Sequence, residues 1–131
     1  MHVLIATGDN RHGDRAVAHR VLELLANPGP NVYMHDVREL SPVLAEEIAS
    51  AEDVVFIDAA EQLGEPWIEP AGPRTLPGRI VEDARLRFRF RGQAYICHVP
   101  GLDFGNRSGI SPYAEMRARQ AARLIERVLA A

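Results

Sequence analysis

The side chains of this 131-residue chain best suited to chemistry are carboxylates and imidazoles gathered near the ends of apolar runs. Asp9, His12 and Asp14 follow the run Val3-Leu-Ile-Ala6. Asp58 closes the run Val54-Val-Phe-Ile57, and His98 stands near the end of Ala94-Tyr-Ile-Cys-His-Val99. Carboxylate and imidazole ligands together suit borderline divalent metals such as nickel or zinc. A strand-end acid in an α/β fold also commonly faces the ligand crevice. Each residue has a plainer reading beside this one. Asp14 reads as a helix cap, His98 as a hydrogen-bonded core side chain and Asp58 as the cap of a loop.

Other chemistries fail on spacing. Gly8 and Gly13 are spaced as in a phosphate loop, but Asp14-Arg15 stand where Lys-Ser/Thr is required. Asp36 follows a second apolar run, where a ribose-binding acid would sit, yet the glycine fingerprint of dinucleotide folds is missing. The esterase elbow G-x-S-x-G is missing too. Cys97 and His98 are neighbours on a predicted strand and point to opposite faces, which makes a poor nucleophile–base pair.

The elements that must position these residues start with Val3–Ala6, an apolar run without polar alternation that suits a strand buried on both faces. Gly8 and Gly13 bracket a polar loop, Asp14 is placed to cap the next helix, and Val17, Val21, Leu24 and Leu25 follow at helical spacing. Residues 8–15 therefore line part of any site. Val32–His35 reads as a second strand, Ser41-Pro42 as the start of a short helix, and Asp53–Asp58 as a third strand. The order β-α-β-α-β predicts a parallel sheet with right-handed crossovers. Residues 60–78, with four prolines and three glycines, read as a long loop that Trp67 pins to the body. The alternation Leu86-Arg-Phe-Arg-Phe90 predicts a strand, forming a hairpin with residues 94–99 and setting Arg85, Arg87, Arg89 and Arg91 on a solvated face. Ser111-Pro112 caps a last helix whose Arg119, Arg123 and Arg127 form a solvated stripe.

The totals bound the answer. The length suits one domain over residues 1–131. A net charge of −3 provides no global field toward nucleic acid or anionic membrane. No apolar run approaches the roughly 20 residues of a membrane span, and the short N-terminal run is not a signal peptide. The lone Cys97 allows no intrachain disulfide, which fits a cytoplasmic protein.

Three segments together resemble the hydrogenase maturation endopeptidases, which trim the C-terminus of the large subunit of nickel–iron hydrogenase. The opening strand, Gly-x-Gly-Asn and acidic Gly-Asp helix start of that family are matched by Ala6-Thr-Gly8-Asp9 and Gly13-Asp14-Arg15-Ala16. Its strand-end acid is matched by Phe56-Ile57-Asp58-Ala59, and its entry to the last helix by Ser108-Gly109-Ile110-Ser111-Pro112. The resemblance implies a three-layer α/β/α fold with a mostly parallel sheet and an antiparallel hairpin addition. It further implies a nickel-dependent peptidase with Asp58 as the metal-facing or water-activating carboxylate, Asp14 in support, and a hydrogenase large-subunit precursor as substrate. The family's other nickel ligands are a second acid at the helix start and a histidine on a later helix. Arg15 occupies the first of these positions, and a guanidinium cannot ligate a metal. The second lacks a counterpart in the expected hairpin, which leaves His98 and His12 as substitute ligands.

Three functions follow as expectations. The first is a maturation-protease-like protein acting at Asp58 with reduced nickel binding. The second is a non-catalytic binding module, with Gly8, Asp9, Gly13 and Arg15 as the binding loop and Arg15 either paired to a nearby carboxylate, Asp58 or Asp14, or receiving an anionic group at the helix N-terminus. The third is a small nucleotide-binding domain using Gly8, Gly13 and Asp36.

Overall fold

A computed structural model of the protein describes residues 1–9, 12–25, 29–105 and 108–130. The elements run β1 (His2–Thr7), a 3-10 turn (Gly13–Ala16), α1 (Val17–Leu24), β2 (Val32–Val37), α2 (Leu44–Glu47), β3 (Asp53–Ala60), β4 (Trp67–Pro70), α3 (Leu76–Phe88), β5 (Gln93–Pro100) and α4 (Pro112–Ala130). They build a five-stranded sheet in the order β2-β1-β3-β5-β4. The first four of these strands are mutually parallel, and β4 pairs antiparallel with β5. No helix among the described residues is long and apolar enough to cross a membrane.

The expected three layers are present because the central strands are apolar on both faces. Leu4, Ala6, Val55, Ile57, Cys97 and Val99 pack under α1 and α4, against Val17, Val21, Ala118 and Ile125. Val3, Ile5, Val54, Phe56 and Ile96 pack on the other face against Leu44 and Ile48 and against Ile80, Val81 and Ala84 of α3. Side chains alternate across a strand, so this partition also fixes which face each strand-end residue occupies.

Two segments depart from the sequence reading. Residues 86–90 are not a strand: Leu86, Arg87 and Phe88 form the last turn of α3, and Leu86 is 76% exposed rather than inward. The helix begins where Thr75 Oγ1 accepts the Gly78 N–H at 3.0 Å, with Pro77 in its first turn. Ile80, Val81 and Ala84 set its apolar face, and that upstream signal outweighs a local alternation of only five residues. Residues 60–78 are not a structureless loop either. They contain β4, whose Trp67 pairs with His98 of β5, so the antiparallel addition is β4 on β5 with α3 between them. The Tyr113 hydroxyl ties the preceding turn to α4, accepting the Gly64 N–H at 2.8 Å and donating to the Gly64 carbonyl at 3.2 Å.

Candidate functional site

One row of residues crosses the sheet near the C-terminal ends of its parallel strands, on the face covered by α3. Asp58 of β3 is the register partner of His98 of β5, and His98 is the partner of Trp67 of β4. On the other side, the Thr7 hydroxyl at the end of β1 lies 3.3 Å from Asp58 Oδ1 and 3.2 Å from the Ile57 carbonyl. The first loop and Asp58 therefore share one edge of the sheet, because the parallel strands β1 and β3 end on the same side. A groove of about 370 Å³ closes on the Thr7–Asp58 end of this row. Phe56, Leu40, Leu76 and Pro77 give it apolar walls, Thr7 and Gly8 border the acid, and Arg38 and Glu39 set one charge of each sign on it.

Asp58 opens to solvent in this groove and makes no ion pair with a described residue. Loss of hydration against the groove walls pushes its pKa up. The Thr7 hydroxyl, the Ala59 N–H and the attraction of His98 oppose that rise without cancelling it. A carboxylate that holds its proton more tightly than usual is a better base once ionised.

His98 is held by its neighbours on β4, and its buried Nε2 makes no hydrogen bond to a described residue. Its ring stacks on Trp67 at 4.5 Å between centroids and 18° between planes, and its Nε2 lies 3.5 Å from Glu69 Oε1. Trp67 Nε1 donates to the other oxygen of Glu69 at 3.1 Å. Cys97 points the opposite way, into the α1 and α4 core, where burial pushes its thiol up to about 12. The expectation that Cys97 and His98 diverge holds.

Asp14 is a staple between loops and takes no part in the groove. It is fully buried, and neither the 3-10 turn nor α1 carries the side-chain cap that the sequence suggested. Its Oδ2 accepts the N–H groups of Leu102 at 2.7 Å and Asp103 at 2.8 Å and the Ser111 hydroxyl at 2.7 Å. Its Oδ1 accepts the Ser111 N–H at 2.7 Å. Ser111 in turn caps α4 by accepting the Ala114 N–H at 3.1 Å. Burial alone would raise the pKa of Asp14, but these hydrogen bonds outweigh it and hold the group below the usual carboxylate range. Gly13 makes the contact possible: its φ is 60°, and a Cβ there would lie 2.6 Å from the Gly105 carbonyl oxygen.

Arg15 falls outside the site. It is exposed, and among the described residues it pairs with neither Asp58 nor Asp14. The tight turn that sends Asp14 inward sends its neighbour outward, and only the carbonyl of Arg15 faces the loop, beneath Gly8. His12 Nδ1 lies 3.1 Å from Asp9 Oδ2, and the backbone of His12 bridges to Ser108 and Gly109. Asp36 does not await a ribose: its carboxylate contacts Nδ1 of the buried His19. His19 Nε2–H donates to the Gly8 carbonyl at 2.7 Å and so holds the first loop against α1.

The donor set around Asp58 does not fit a three-ligand nickel site of the kind the resemblance implies. Among the described residues no three His, Cys, Asp or Glu side chains converge to hold a metal. The later helix does exist, as α3, but it bears no histidine and presents Leu76 and Pro77 to the groove. Thr7, Trp67, Glu69 and His19 were not legible as site residues, because only strand register and loop packing bring them to this edge.

No protein-family model matches the sequence, and no curated protein matches it. Solved structures do match its fold. The NiFe hydrogenase maturation protease HycI from Thermococcus kodakarensis KOD1 superposes with a TM-score of 0.76 at 23% identity, covering 99% of this chain and 92% of that one. The hydrogenase maturating endopeptidase HybD from E. coli superposes with a TM-score of 0.79 at 16% identity, covering 99% and 93%. A hydrogenase 2 maturation peptidase from Thaumarchaeota archaeon SCGC_AB-539-E09 gives 0.70 at 19% identity, covering 98% of each chain. A five-stranded, mostly parallel sheet ending in an acid-bearing groove, superposed over nearly the whole length of these enzymes, gives this chain the fold of the hydrogenase maturation proteases.

Proposed function

We propose that this chain is a maturation-protease-like protein that receives a peptide segment of a hydrogenase large-subunit precursor in the groove at Asp58, and that it cleaves that segment poorly or not at all. The observation that carries the reading is the groove itself. It is largely apolar, lies outside the C-terminal ends of parallel strands and reaches the Asp58 carboxylate, with Glu39 on its wall. Asp58, with its raised pKa and its contact from Thr7, is suited to orient a water and take its proton. Hydrolysis also needs positive charge where the carbonyl oxygen becomes anionic, and losing one such donor slows acyl transfer about 100- to 1000-fold. Among the described residues, Arg15 is exposed and does not line the groove, Arg38 is the one cation on the groove wall, and no group of three His, Cys, Asp or Glu side chains is arranged to hold a metal.

The test is incubation with nickel-loaded precursor, read by intact mass, alongside calorimetric binding. Binding that is weakened by Leu76→Arg in the groove wall, without loss of a C-terminal peptide, is the expected result. Efficient release of that peptide, abolished in Asp58→Asn, would restore a working peptidase. Absence of binding would remove the precursor as partner.

A further inference from the structure

A second surface lies at the other end of the sheet. Four arginines, at positions 85, 87, 89 and 91, leave the junction of α3 and β5, with no acid between Ala84 and Gly92. All four are exposed, and the highly exposed Leu86 lies among them. Two are held in place by aromatic rings. The Arg85 guanidinium sits 5.0 Å over Phe90 and donates to the Gly92 carbonyl, while that of Arg87 sits 5.0 Å over Phe88 and pairs with Asp83. Of the acids near this corner, Asp83 is taken up by Arg87, Glu52 lies 3.4 Å from the N-terminal amine and Asp53 lies 3.0 Å from His2. Arg89 and Arg91 carry no ion pair to a described residue.

Positive charge at a helix C-terminus complements the helix dipole, which accounts for Arg85 and Arg87. It does not account for Arg89. This residue ends α3 at φ 60° and ψ 34°, and it is the one non-glycine with positive φ among the described residues. Glycine is the usual occupant of such a position, and this chain uses glycine at its other positive φ angles. An arginine held there at a conformational disadvantage, with no ion-pair partner among the described residues, points to a partner outside the fold.

We infer that this corner docks an acidic protein surface with an apolar centre, independently of the groove. Guanidinium forks match carboxylates two bonds at a time, and Leu86 offers the apolar contact between them. A nucleic acid fits less well, because the arginines cover the aromatic faces on which bases would stack and the chain as a whole carries −3. A single exposed leucine is also too little to anchor a membrane surface. The corner adjoins Gln93, whose register partner is Asp53, five strand residues before Asp58. That is about 17 Å from the groove, so a short peptide in the groove does not reach it.

The experiment measures anisotropy of a labelled glutamate-rich peptide with a central leucine. A single-stranded oligonucleotide and phosphatidylserine vesicles, at the same salt, are the comparators. Arg89→Gly is expected to weaken peptide binding about tenfold while raising the melting temperature, since glycine relieves the left-handed strain. Arg91→Gln is expected to weaken it as well. Arg123→Gln, which removes the same charge from exposed α4, and Asp58→Asn are expected to leave it unchanged. Weakening by Arg123→Gln equal to that of Arg89→Gly would reduce the effect to net charge and overturn the inference. So would unaltered binding in Arg89→Gly, a lowered melting temperature in that variant, or tighter binding of the oligonucleotide or the vesicles.

Discussion

Replacing Asp14 by asparagine preserves the shape of the buried side chain but not its ability to accept on both sides. Oδ2 takes three of the four hydrogen bonds, from Leu102, Asp103 and the Ser111 hydroxyl, so the amide oxygen of the variant keeps that position. The amide nitrogen then faces the Ser111 N–H, and two donors meet where a donor and an acceptor met before. One buried donor left without an acceptor costs about 1–3 kcal/mol, and the three surviving bonds lose their charge assistance. The expected loss is about 3 kcal/mol, or about 10 °C in melting temperature for a chain of this length. The sign of the pH dependence follows from the depressed pKa of Asp14. Such a carboxylate contributes stability that is complete above its unfolded value of about 3.9 and is lost as pH falls through the lower folded value. Urea unfolding of both proteins at a series of pH values measures the difference, with an unchanged slope showing that the unfolded state is the same. The gap should be full at neutral pH and should narrow in acid. A gap below about 1 kcal/mol, or one that stays constant into the acid range, would refute the staple.

Asp58 carries the opposite sign. Its folded pKa is raised, so the native state binds the proton more tightly, and stability falls as pH rises from about 3.9 through the folded value. Asp58→Asn should melt at or above the temperature of the unaltered protein at neutral pH, with the difference vanishing in acid. A clear drop at neutral pH would show that the fold needs the ionised group. Gly13→Ala places a Cβ 2.6 Å from the Gly105 oxygen and 2.8 Å from the Asp103 oxygen at φ 60°, and should cost about 3 kcal/mol in denaturant unfolding. Gly72→Ala meets nothing within 4 Å and should stay within about 0.5 kcal/mol. Equal losses from the two alanines would mean that Gly13 is not closely packed.

The sequence by itself determined the layered fold. Unbroken apolar runs at Val3–Ala6 and Val54–Ile57 admit burial on both faces, and the intervening helical spacing leaves a parallel sheet as the consistent arrangement. It also placed Asp58 and the first loop at one edge, because parallel strands end on the same side. Ser111 was legible as the cap of α4 from its local pattern. What local pattern did not contain was decided by packing. The alternation at residues 86–90 yielded to a helix started by Thr75 and driven by Ile80, Val81 and Ala84, since burying that face outweighs a short period-two run. Asp14 and Arg15, adjacent in sequence, were separated by one tight turn. The carboxylate was drawn to three N–H groups and a hydroxyl from residues 102–111, about ninety positions away, and the guanidinium was left in water. Strand register alone set His98 beside Asp58 and Trp67 beside His98. Those neighbours come from strands far apart in the chain, and only the closed tertiary structure brings them together.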